Sequence, residues 1–132
     1  MQIHQSAEDY LETILMLTQR MGKVRSIDVV NELGFTKASV SIAMKKLREN
    51  GYIAVDGEGN LTLLEPGREI AERIYGRHRL LTHFFMQLGV DEKTAAEDAC
   101  KAEHILSEQT LEKIRESAMR TDSAAQQAEK TE

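Results

Sequence analysis

The stretch CKAEHIL, Cys100 to Leu106, holds the chain's single cysteine, followed at i+3 and i+4 by Glu103 and His104. On a helix these offsets share one face, so a thiol, a carboxylate and an imidazole would point the same way. Two further places carry the same donor types. Asp9 and Glu12 stand i, i+3 apart in a segment of helical periodicity, and His78 lies in GRHRLL. Thiolate, imidazole and carboxylate together are the set with which proteins hold transition metals. Each fragment also has a plainer reading. Acids are common in the solvated first turn of a helix, a histidine among arginines is ordinarily exposed, and a lone cysteine is ordinarily a small buried apolar residue or a redox thiol. A metal tying helix one to helices four and five would relieve repulsion among the carboxylates. It would also fix the relative placement of whatever the first helix carries, an order or population switch.

The elements that position these groups follow from periodicity. Ala7, Tyr10, Leu11, Ile14, Leu15 and Leu17 predict a first helix from Ser6 to about Arg20, ended by Gly22. A second helix is expected from Ser26 to Gly34. A third runs from an N-cap at Thr36 to Asn50, with Val40, Ala43, Met44 and Leu47 inward and Gly51 as its left-handed cap. The period then changes. Tyr52, Ile53 and Val55, the turn DGEGN, and Leu61, Leu63 and Leu64 predict a β-hairpin. A helix-turn-helix followed by a hairpin is a winged helix. Pro66 suits a first helical turn, and a long helix is expected to about Leu88. A fifth helix from Asp91 would carry CKAEHIL, and a sixth would start at Ser107. From about Ser117 the chain is Ala, Gln, Glu, Lys and Thr without evident periodicity and reads as disordered.

The expected fold is therefore mainly α. Residues 1–64 form a winged helix-turn-helix, residues 65–116 a three-helix metal-binding and dimerisation domain, and residues 117–132 a tail. Three helices are too few to bury both faces of the long one, so its apolar surface predicts a homodimer.

Composition narrows the class. A single cysteine fits a reducing cytoplasm. No apolar run is long enough to cross a bilayer, and the N-terminus lacks a signal-peptide layout. Phosphate-binding loops, nucleophile elbows and HExxH are absent, and no nucleophile or general base stands apart from the candidate ligands. An enzyme acting on a small organic substrate is the least favoured class. The net charge of −5 looks wrong for a nucleic-acid binder. Yet residues 1–90 carry eleven acids and eleven bases, and the deficit lies wholly in residues 91–132. Residues 36–50 hold Lys37, Lys45, Lys46 and Arg48 against Glu49 alone, a local basic patch. The DNA-contact candidates are Arg25, Thr36, Lys37, Ser39, Ser41 and Lys45. No Asn or Gln is placed to read adenine, so DNA shape and water are expected to supply much of the specificity.

The segments SAEDYLETILML, LGFTKASVSIAMKKLRENGYI, LTLLEPGREIAERIYGRHRLL and GVDEKTAAEDACKAEHILSEQTLEKI, taken together, resemble the diphtheria-toxin-repressor and manganese-transport-regulator family over roughly residues 5–116. The resemblance is to its two-domain type. It implies a homodimeric winged-helix repressor that binds palindromic double-stranded operators when loaded with Mn(II) or Fe(II) and controls metal uptake. It assigns Asp9 and Glu12 to the first-helix carboxylates, His78 to the long-helix histidine, and Glu103 and His104 to the paired ligands of the fifth helix. Cys100 departs from the manganese type, which has Glu there, and agrees with the iron type. The resemblance thus implies a mixed site with oxygen at one end and sulfur at the other. Two rival expectations remain: a winged-helix regulator switched by oxidation of Cys100, and a small helical metal-binding or interaction protein without DNA binding.

Overall fold

The computed structural model describes residues 5–130, with side chains described for residues 6–127. Among the described residues, six helices and one antiparallel hairpin follow in the order α1 (Gln5–Met21), α2 (Ser26–Leu33), α3 (Lys37–Glu49), β1 (Ile53–Val55), β2 (Leu61–Leu63), α4 (Glu65–Gln87), α5 (Glu92–Ala102) and α6 (Glu108–Lys130). The chain divides into two compact units, residues 1–75 and 76–132. This division falls inside α4, because the first half of that helix contributes Ile70, Ala71 and Tyr75 to the core of the first unit.

The first unit is a winged helix. Leu11, Ile14, Leu15 and Leu17 of α1 bury against Val29 of α2 and Val40, Met44 and Leu47 of α3, the positions that the 3.6-residue period marks. The strands pair Ile53 with Leu63 and Val55 with Leu61. The base of the wing also reaches the α1–α2 connection. Leu61 N–H donates to the Val24 carbonyl at 2.7 Å, and Arg25 bridges Asn60. At the start of α4, a methyl group on Gly67 would collide with the Tyr52 carbonyl oxygen. Only glycine lets the helix approach the hairpin this closely.

The second unit packs α5 and α6 on the later half of α4 around Leu81, Ala99 and Leu111, with Phe85, Leu106 and Ile114 beside them. Here the structure departs from the sequence reading. Helix α6 does not stop near Ser117; it continues to Lys130. Ala118 is buried, extending the Leu111, Ile114 row by one turn. The Gln87 side chain of α4 donates to the Ala118 carbonyl at 3.1 Å and to Asp122 Oδ1 at 2.9 Å. Residues 117–130 hold four alanines and two glutamines with single Met, Arg, Glu and Lys residues, all good helix formers, so the composition suits a helix as well as it suits disorder. Residues 131 and 132 of the expected tail lie outside the described residues.

Candidate metal centre and nucleic-acid interface

In the second unit, α5 ends at Ala102. Glu103 is its C-cap, in right-handed helical conformation, and donates its N–H to the Ala99 carbonyl at 2.9 Å. His104 lies beyond the cap, where Ile105 N–H turns back to the Ala102 carbonyl. The premise that Cys100, Glu103 and His104 share one helical face therefore holds only up to the cap. Cys100 sits on the exposed side of α5, whereas the Glu103 side chain is wholly buried.

Two imidazoles face the Glu103 carboxylate within this unit. His78 Nδ1 of α4 lies 3.0 Å from Glu103 Oε2, and His104 Nε2 lies 3.4 Å from Glu103 Oε1. The His104 side chain is 2% exposed and that of His78 20% exposed. Burying a carboxylate is costly unless charge or hydrogen bonds compensate. Glu103 Oε1 is a buried oxygen with no hydrogen-bond donor among the described residues, only the longer ion pair to His104. Neighbouring donors on an octahedral cation with bonds near 2.1 Å stand about 3 Å apart. The His78–Glu103 pair stands at that spacing, and His104 adds a second imidazole at 3.4 Å from the other oxygen; oxygen and imidazole are donors that suit a divalent transition metal.

In the first unit, α1 carries Asp9, half-buried, and Glu12, buried at 5% exposure among the core residues of the helix. Glu12 is thus no solvated first-turn acid. The Tyr10 phenol is held above its ordinary pKa, first by burial and second by the Asp9 charge beside it.

The recognition-helix candidates separate into two groups. Thr36 is the N-cap of α3: its hydroxyl accepts the Ser39 N–H at 3.1 Å and bonds the Ser39 hydroxyl at 2.9 Å. These two side chains shape the helix start. Lys37, Ser41 and Lys45 are exposed, and Ser41 and Lys45 line a groove of about 240 Å³ with Ser26, Met44, Val55 and Arg48. Arg48, part of the basic patch but not among the contact candidates, thus joins them. Arg25 is exposed at the N-cap of α2, where its N–H donates to Asp28 Oδ2 at 2.9 Å. Ile42, an apolar residue outside the contact candidates, is also exposed on α3. It is 58% exposed and stands at i+4 from exposed Ala38, on the side of α3 away from Val40 and Met44. The wing turn spends its aspartate internally: Asp56 Oδ1 accepts from the N–H groups of Glu58 and Asn60, both at 2.9 Å. Hydrogen bonds from the Asn60 side chain and then its backbone hold the Asp56 carboxyl below its ordinary pKa.

Comparison with known proteins agrees with this layout. Residues 2–61 match the family described as iron dependent repressor, N-terminal DNA binding domain. Residues 64–132 match iron dependent repressor, metal binding and dimerisation domain. The chain is similar to an HTH-type transcriptional regulator of Methanocaldococcus jannaschii, 37% identical over 113 residues that cover 84% of this chain and 90% of that protein. It is also similar to the HTH-type transcriptional regulator MntR of Bacillus subtilis, 34% identical over 109 residues covering 83% and 77%. Among solved structures, a manganese-dependent transcriptional repressor in complex with manganese superposes with a TM-score of 0.77 at 28% identity over 85% of this chain. The manganese regulator SloR gives 0.73 at 26% identity over 88%. The chain spans about half of each of those two solved proteins, 52% and 54% respectively.

Proposed function

The chain belongs to the iron-dependent repressor family of metal-dependent DNA-binding repressors, and from that premise we propose the residues and the ion through which it acts. Asp9 and Glu12 of the first unit join His78, Glu103 and His104 of the second in holding Mn(II) or Fe(II). The observation that carries this reading is the wholly buried Glu103 carboxylate between two imidazoles, a group that oxygen-preferring divalent ions suit. When bound, the cation supplies the positive charge that lets several carboxylates share one place. Ligands drawn from α1 and from the α4–α5 region make metal occupancy bias the DNA-binding unit of each protomer, and a homodimer presents two recognition helices to the half-sites of a palindromic operator. Cys100, exposed on α5, stands outside this ligand set. That shifts the balance toward oxygen and nitrogen donors and toward manganese, the metal of both similar solved proteins.

On the DNA side, Lys37, Lys45, Arg48 and Arg25 meet phosphates, and Ser41 meets phosphate or a base edge. Thr36 and Ser39 act chiefly by starting the recognition helix. Ile42 offers an apolar contact to a thymine methyl group. Catalysis has no part in this reading. The same reading puts the protein in the cytoplasm, controlling metal uptake from palindromic operators. Among the described residues no helix is long and apolar enough to cross a membrane.

The test is an anaerobic fluorescence-anisotropy titration onto the DNA upstream of the protein's own gene, metal-free and with Mn(II), Fe(II) or Zn(II). Tight binding with Mn(II) or Fe(II), lost in His104→Ala while the dimer persists, is the expected result. Equal binding with and without metal would overturn the reading. Binding that responds to peroxide and ignores chelators would transfer the switch to Cys100.

A further inference from the structure

Glu103 and His104 lie past the end of a helix, and a turn holds its side chains less rigidly than a helix does. Something must fix the turn before an ion arrives. The neighbouring residue to His78 on α4 does this. Arg77 Nη1 donates to the Glu103 carbonyl oxygen at 3.2 Å, and its Nη2 pairs with the Glu108 carboxylate in the first turn of α6. The Arg77 side chain is 15% exposed, the Glu108 side chain 79%. Two consecutive α4 residues therefore grip one glutamate at both ends: Arg77 takes its backbone and His78 its carboxylate.

We infer that Arg77 is a positioning residue for the metal centre, locking the α5–α6 turn so that Glu103 and His104 are pre-aimed in the metal-free protein. The inference rests on the proposed centre. A guanidinium suits the task because its planar fork reaches two acceptors at once, one on each side of the turn. An ammonium can be placed on only one of them with good geometry. Glu108 is the solvent-facing anchor, and exposed ion pairs contribute little by themselves. The carbonyl contact, nearer the ligand and better shielded, carries the effect.

The experiment uses the full-length dimer in three variants: Arg77→Met, Arg77→Lys and Glu108→Gln. Hydrogen exchange of the turn amides at Glu103–Ile105 is followed in the metal-free protein, and Mn(II) affinity is measured by competition with a fluorescent chelator. Arg77→Met is expected to speed exchange in the turn and weaken Mn(II) binding by about 10- to 100-fold, the range for residues that orient metal ligands. Dimerisation and metal-free DNA affinity should hold. Arg77→Lys should fall between Arg77→Met and the parent, and it serves alone if the Met variant does not fold. Glu108→Gln should stay within about twofold. Parent-like exchange and affinity in both Arg77 variants would overturn the inference, as would a Glu108→Gln loss equal to that of Arg77→Met, since the pair to α6 would then explain everything. A parent protein that binds neither Mn(II) nor Fe(II) would remove the centre and this role together, whereas a binding parent with unaffected Arg77 variants removes the role alone.

Discussion

The recognition helix and the α5–α6 turn both present polar side chains, under opposite conditions. On α3, Lys37, Ser41 and Lys45 stand in water on an unbroken helix whose other side is the core of the winged unit. In the second unit, Glu103 stands in no water at all, in a turn, with both its ends held from α4. An exposed face keeps its side chains hydrated until the partner arrives, and its contribution is long-range attraction that salt weakens. A buried carboxylate has already lost its water, so the free energy of a bound cation is concentrated on a few short contacts. The DNA surface should therefore tolerate single changes gradually, and the metal turn should not.

That contrast orders the expected effects. Glu103→Gln, which keeps the shape and removes the charge, should lower Mn(II) affinity by more than about 100-fold, beyond what orienting residues cause; chelator competition measures it. A variant that binds Mn(II) like the parent would break the contrast outright. Lys45→Ala should leave Mn(II) affinity alone and reduce the slope of log K against log salt by about one. An unchanged slope in the anisotropy titration takes Lys45 off the phosphates. Ile42→Ala should weaken operator binding about fourfold, the ~0.8 kcal/mol of one methyl-sized contact. Replacing thymine by uracil in the half-site should then cost the parent similarly and the variant nothing more. Cys100→Ser, a change on an exposed helix face, should shift metal-dependent DNA binding by no more than about twofold. A collapse of the metal response would return the thiol to the centre.

The smallest effect concerns pH at the wing. The folded Asp56 carboxyl titrates below its ordinary value. Its contribution is therefore complete above the ordinary carboxylate pKa and is lost as pH falls through the lowered folded value. The amide resonances of Glu58 and Asn60 should shift together in that acid range, while those of α3 stay put.

Much of this was legible in the chain. The apolar period placed the three helices of the winged unit, the Thr36 cap and the Gly51 stop, because those signals are local. The hairpin announced itself by DGEGN. The end of α5 at Ala102 was not legible, because no Gly or Pro marks it. The turn is set by Arg77 and His78, some twenty-five residues away in sequence. The burial of Glu12 could not be read either, since its i, i+3 partner Asp9 makes the pair look like an ordinary solvated first turn. Ile42 was missed for a different reason: attention to polar readers leaves out the one base feature, the thymine methyl, that an apolar side chain recognises.

The course of α6 matters to anyone who cuts this chain. On composition the sensible place to stop is Ser117. A protein ending there would lose the Ala118 carbonyl and the Asp122 carboxylate, two acceptors that now hold the Gln87 amide of α4. It would also uncover the end of α4, where Leu88 already faces solvent. Shortening for crystals or for spectroscopy is therefore an intervention in the second unit, and a trimmed protein that clumps or unfolds early would be reporting the cut and not the repressor.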